Sequence, residues 1–157
     1  MDALSPTIRN TARALIVRDG RILLLCKEGY PGGRRYALPG GGQDPGETLE
    51  EALVRECLEE IGVQVQVHGL VRVADCYKPR DTTPPSTRHL VEFIFECGIP
   101  DDYTPCNGHK PDKHQVAVVW ADLDDLGGVP LYPRSLAGYL GKYPDSRDRV
   151  YIGNIEW

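Results

Sequence analysis

The sequence predicts an α/β fold with a mixed β-sheet covered by helices. Three observations carry this expectation. Short apolar runs with strand-like alternation recur along the whole chain. The segment 48–61 has the periodicity of a helix and lies between strands. A second helical pattern follows the last long strand pattern. With 157 residues the chain is expected to form one domain, 1–157, with a short N-terminal extension over 1–10. Its 41% hydrophobic and 26% charged residues exclude wholesale disorder.

The elements follow in order. TARALIVRDGRILLLCKE is two apolar runs around Asp19-Gly20, a dipeptide suited to a hairpin turn. YALPGGG, 36–42, reads as a short strand entering a glycine-rich loop. Thr48, with Glu51 three residues on, fits a capping box and starts a helix that Gly62 stops. Segment 63–78 alternates and reads as strand, with a break at Gly69. Segments 88–98 and 115–123 read as two more strands, and 133–143 as a helix with Pro133 near its first turn. Residues 149–157 read as a last short strand or a tail. The stretches 79–87 and 98–114 read as loops. The second exceeds the roughly 12–15 residues usual for a structureless connection, so it is either functional or mobile.

Charge and cysteine usage narrow the function classes. A net charge of −5 and a pI near 5.3 argue against non-specific nucleic-acid binding, which runs on Lys and Arg. No apolar run approaches the roughly 18 residues that a membrane span needs. The five cysteines are odd in number, no pair is spaced C-x-x-C, and the start lacks an apolar leader. A reducing, cytoplasmic setting with free thiols is therefore expected. Cys97, Cys106, His109 and His114 are zinc-ligand types, but their spacing matches no structural zinc pattern.

The helix over 48–61 carries the chemistry. Val54, Cys57, Leu58 and Ile61 recur as one apolar stripe, and Glu56, Glu59 and Glu60 project from the other side. On an exposed helix such like charges cost a few tenths of a kcal/mol. In a cleft, two of them about 6 Å apart repel by roughly 3 kcal/mol at an effective dielectric of about 20. A divalent cation removes that repulsion, and carboxylate oxygens are the ligands Mg²⁺ takes beside substrate phosphates. A solvated acidic face is the other reading of the same pattern. Gly40-Gly41-Gly42 and Gly46, just ahead of the helix, point to a loop wrapped over its head.

Gly41, Glu47, Arg55, Glu56, Cys57, Glu59, Glu60, Gly62 and Val63 match every fixed position of a 23-residue motif, Gly-x5-Glu-x7-Arg-Glu-U-x-Glu-Glu-x-Gly-U, with Cys57 standing at an apolar position. In this the chain resembles the Nudix hydrolases, and YALPGG resembles their usual lead-in. The resemblance implies an α/β/α sandwich and metal-dependent hydrolysis of a nucleoside diphosphate linked to another group. It implies Mg²⁺ or Mn²⁺ held by Glu56, Glu59, Glu60 and a backbone carbonyl near Gly40. It also implies that Glu47 and Arg55 pair to brace the loop. The catalytic base is a motif glutamate, Glu56 first, or a group from a later loop, where Asp112 is the nearest acid and His114 a further candidate.

The substrate is less constrained. Pro79 stands 16 residues after the motif, where the family's ADP-ribose pyrophosphatases often carry proline, and Tyr77 is a loose counterpart of a tyrosine in dinucleoside polyphosphate hydrolases. Arg34, Arg35 and Arg88 flank the expected loops and suit phosphate contacts, as solvated surface charge does. A small-molecule nucleotide is the expected partner, ADP-ribose or a nucleotide sugar first and a nucleoside triphosphate as the alternative. A homodimer is an admissible assembly. Two rivals keep the fold and change the function. One is a non-catalytic binding module, which would usually lack a motif glutamate. The other is an isoprenoid diphosphate isomerase, which would need a loop cysteine where Cys26 sits in an apolar strand.

Overall fold

The computed structural model describes residues 2–140 and 149–157. Among these described residues the elements in chain order are β1 (Ala3–Leu4), β2 (Arg9–Leu15), β3 (Val17–Arg18), β4 (Arg21–Tyr30), β5 (Gly33–Ala37), β6 (Gly40–Gly42), α1 (Leu49–Ile61), β7 (Gln66–Arg80), β8 (Ser86–Gly98), β9 (Gln115–Asp122), α2 (Ala137–Leu140) and β10 (Tyr151–Ile155). Two 3₁₀ stretches, Leu123–Gly128 and Arg134–Leu136, precede α2.

The strands form two mixed or antiparallel sheets. One has the order β10-β7-β8-β2-β6, with β1 also on β8; β2 runs parallel to β8 and antiparallel to β6. The other is built on β4, which pairs with β3, β5 and β9. The hairpin turn sits at Asp19-Gly20, where both residues take positive φ, 53° and 72°.

Strands β2 and β4 are buried on both faces, and their alternation divides the core. Ala12, Ala14, Leu23 and Leu25 pack toward Leu53, Cys57 and Ile61 of α1. Leu15, Ile22 and Leu24 point the other way, onto Leu126, Leu131, Leu136 and Leu140 of the C-terminal layer. This is the α/β/α sandwich, with a second layer made of short helical turns rather than one long helix.

Three local expectations change. Gly69 does not end the strand: β7 runs through it, with register shifts on either side against β8. The segment from Pro133 gives a 3₁₀ turn and one short turn of α-helix, and residues 141–143 of the expected helix lie outside the described residues. The apolar stripe of α1 is rotated. Leu58 is 45% exposed, while Glu60 is 3% exposed. Glu60 is drawn inward because its carboxylate meets the glycine segment of β6, a contact that hydropathy alone does not encode.

Candidate active site

The site is built outward from α1. Thr48 caps the helix: its hydroxyl accepts from the Glu51 N–H at 3.1 Å, and the Glu51 carboxylate accepts from the Thr48 N–H at 3.0 Å. Gly62 closes it in the left-handed region, φ 71°. Arg55 then ties the helix to the loop before it. Its guanidinium donates to both Glu47 carboxylate oxygens at 2.7 and 3.0 Å, to the Gly42 carbonyl at 3.1 Å and to Glu56 at 3.0 Å. Asp44 and Glu59 stand farther off, at 3.5 and 3.7 Å. The hydrogen bonds from Arg55, and then from the Asp44 N–H, hold the Glu47 carboxyl at about 2. The brace is thus ionised on both sides at any ordinary pH.

The glycine segment lies against two motif carboxylates. A Cβ on Gly41 would meet the Glu56 carboxylate at 2.6 to 2.8 Å, so only glycine lets that side chain sit there. Glu60 accepts from the Gly40 N–H at 2.9 Å. Burial pushes its carboxyl up to about 8, against the pull of that N–H and of Arg13.

Glu56 and Glu60 form one wall of a cleft of about 310 Å³. Its floor is the sheet face carrying Thr11 and Arg13 of β2, Leu90 and Glu92 of β8, and Lys78 and Arg80 of β7. Arg9 and Arg88 lie at its edge, Lys27 and Asp112 at its side, and Tyr132, Pro133, Leu136 and Trp157 of the C-terminal layer face it from above. Arg13 donates to Glu92 at 3.1 Å and to the Gly40 carbonyl at 2.7 Å. Burial would lower the Arg13 guanidinium, but Glu92 and Glu60 hold it above its ordinary value. Glu92 also accepts from the Thr11 hydroxyl, and Lys27 pairs with Asp112. Among the described residues, no group of three or more His, Cys, Asp or Glu side chains is gathered closely enough to hold a metal ion.

The residues singled out from sequence are not all brought together. Gly40, Glu56, Glu60 and Arg88 line the cleft. Glu59 faces a neighbouring apolar depression with Val54, Leu58, Val67 and His109. Arg34 pairs with Glu28 on the surface at 2.5 Å. Arg35 lies between the Tyr30 and Tyr132 rings, at 4.3 and 4.5 Å, beside the cleft. His114 packs on Tyr30 with ring centroids 4.7 Å apart. Tyr77 stacks on His89, and strand alternation puts Tyr77 and Pro79 on the face of β7 opposite Lys78 and Arg80. The marker spacing of Pro79 therefore finds no support in the cleft.

Arg9, Arg13, Lys27, Lys78 and Glu92 are cleft residues that the sequence did not single out. One signal was present. Lys78 and Arg80 continue the alternation of the buried Ala74 and Cys76, so charged groups stand where a core-facing strand should be apolar.

Comparison with known proteins adds the context. Residues 7–139 match the model of the NUDIX domain. A nucleoside triphosphatase NudI from Salmonella paratyphi B is 50% identical over 135 residues, covering 80% of this chain and 94% of that protein. An ADP-ribose pyrophosphatase from Methanocaldococcus jannaschii is 38% identical over 81 residues, which is 52% of this chain and 45% of that protein. The chain thus spans about half the length of some curated relatives and nearly all of others. Among solved structures, a MutT NUDIX hydrolase from Burkholderia pseudomallei superposes with a TM-score of 0.63 at 30% identity, over 83% of this chain and 95% of that one.

Proposed function

Because the chain belongs to the Nudix hydrolase family, whose members act on pyrophosphate bonds, we propose that its cleft cleaves a phosphoanhydride of a nucleoside triphosphate, releasing pyrophosphate and a nucleoside monophosphate. One observation carries the reading. Glu56 and Glu60 share a single cleft with Arg13, Lys27 and Lys78, and positive side chains outnumber negative ones along its lining. Such a site favours the most highly charged of the family's nucleotides over one with a two-phosphate bridge. The similarity to a relative named for triphosphate hydrolysis, across nearly that protein's whole length, supports the same choice.

A divalent cation suits the donor set in part. The buried Glu60 carboxylate has one N–H partner among the described residues, so a cation would offset its charge, and Glu56 lies on the same wall. Both offer the hard oxygen donors that Mg²⁺ and Mn²⁺ take. The Gly40 carbonyl already accepts from Arg13, and Glu59 is turned toward Arg55. Glu56 and Glu60 would therefore hold the ion, which when bound draws charge from the phosphoryl oxygens.

The chain's own side chains do the rest. Arg13, Lys27 and Lys78 bind and orient the polyphosphate. Arg55 fixes the Glu56 carboxylate at 3.0 Å, and Glu56 takes the proton of the attacking water as the P–O–P bridge breaks. Tyr132 and Trp157 screen the cleft from bulk water and offer ring faces to a base. The five free cysteines are in keeping with a reducing, cytoplasmic setting, and no helix among the described residues is long and apolar enough to cross a membrane.

The test is product identity. With Mg²⁺, a nucleotide panel should give pyrophosphate from triphosphates, and little cleavage of ADP-ribose or nucleotide sugars. Cleavage of ADP-ribose with triphosphates untouched would reject the triphosphate reading.

A further inference from the structure

The cations of the cleft fall into two sets. Arg13 and Lys27 are paired with Glu92 and Asp112. Arg9, Arg80 and Arg88 have no side-chain hydrogen bond or ion pair among the described residues. The acids that could have neutralised them from within the cleft are already engaged.

Sheet register explains how the three converge. Arg88 of β8 lies opposite Lys78 of β7, Arg80 lies opposite Ser86 two residues before Arg88, and Arg9 of β2 lies beside Leu90. All three line the cleft whose floor carries Leu90 and Glu92. The order β7-β8-β2-β6 then sets a row of guanidinium groups from three adjacent strands, ending at the glycine segment. With about 4.8 Å between strands, the row crosses about 10 Å of sheet. At its inner end the Arg9 guanidinium occupies the space of a Cβ on Gly42, which would approach it to 2.0 Å. Arg9 and Arg88 also share a polar hollow with Asn10 and Gln43, continuous with the cleft edge. Like charges gathered on one face repel, and burial together with Arg80 and Arg9 depresses the Arg88 guanidinium. An anion removes that repulsion, and guanidinium forks match phosphate oxygens.

An aromatic ring suited to a base lies near this row. The Lys78 ammonium sits over the Trp157 ring, 4.5 Å from its centroid, and Lys78 is the cross-strand neighbour of Arg88. A base on the part of Trp157 that Lys78 leaves open would set its ribose beside the row. We propose that Arg9, Arg80 and Arg88 form a phosphomonoester subsite, so that the preferred nucleotide carries a second phosphate on its ribose, apart from the anhydride that is cut. This rests on the nucleotide reading of the cleft and sharpens it.

The test is equilibrium binding by calorimetry of AMP against adenosine 2′,5′- and 3′,5′-bisphosphate. At least one bisphosphate should bind ten or more times tighter than AMP. Arg88→Met and Arg80→Met, checked for folding by circular dichroism, should bring that ratio toward one. Equal binding of all three ligands to the wild-type protein overturns the proposal without needing any variant. So does a preference that survives both substitutions. Binding is read without turnover, so silence of the triphosphate panel would remove the hydrolysis reading and leave this result standing on its own.

Discussion

Single residues in the cleft carry charge states that burial has altered, and Lys78 is the clearest to test. Burial, and then Arg13 and Lys27 nearby, lower its ammonium from the ordinary 10.5 to about 8. The fold thus favours the neutral amine. Between those two values the unfolded chain binds the extra proton, so this group adds stability as pH rises while the cleft loses a phosphate-binding charge. KM for a triphosphate should therefore rise as pH passes about 8. In Lys78→Arg the charge persists and KM should no longer rise over the same range, as initial rates on either side of that pH would show. At this scale the motif residues were legible, because Glu47, Arg55, Glu56 and Glu60 lie on or beside one helix and their spacing fixes their neighbours. Arg13 and Glu92 were not. Their contact joins β2 to β8 across 79 residues of chain, and no local pattern records it.

Among the elements, α1 depends on the loop that reads from sequence only as long. The last carbonyls of a helix lack partners within it. Here the loop supplies them: the Gly108 and Lys110 N–H groups donate to the Glu60 and Glu59 carbonyls, each at 2.9 Å, and the Tyr103 hydroxyl donates to the Ile61 carbonyl at 2.7 Å. Gln115 at the start of β9 adds a bond to the Glu60 carbonyl at 2.8 Å. The loop therefore holds the end of the helix on which Glu59 and Glu60 stand. A Cβ on Gly108 would come within 2.3 Å of the Glu59 carbonyl oxygen, where backbone cannot easily yield. Gly108→Ala should destabilise the protein by about 1–3 kcal/mol through lost capping bonds, a shift that thermal melting would detect. Stability equal to wild type would show that the loop does not support the helix. The capping box, Gly62 and the Asp19-Gly20 turn were all readable because each is a signal within four residues. The exposed Leu58 and buried Glu60 were not, because a polar contact with β6 overrode the hydrophobic period.

For the molecule as a whole, the two-sided burial of β2 in one sheet and β4 in the other lets both meet α1 on one side and the C-terminal layer on the other. The cleft opens where these layers meet, so Glu56 and Glu60 come from the helix, Glu92 and Asp112 from β8 and the loop before β9, and the cations from strands. The strand content and the mixed sheet were legible from alternation and turn residues. The strand order was not, since it depends on pairings such as β2 with β8 and β10 with β7 that join distant parts of the chain. The central claim is that Glu56 and Glu60, facing those cations, carry out phosphoanhydride cleavage. It is tested most directly by the Mg²⁺-dependent turnover of a nucleoside triphosphate in Glu56→Gln and Glu60→Gln, each checked for an unchanged melting profile. The account predicts that each isosteric change lowers kcat at least tenfold, on the order of what a positioned acid–base or charge-stabilising group contributes. Near-normal turnover in both variants would contradict it and move the chemistry out of this cleft.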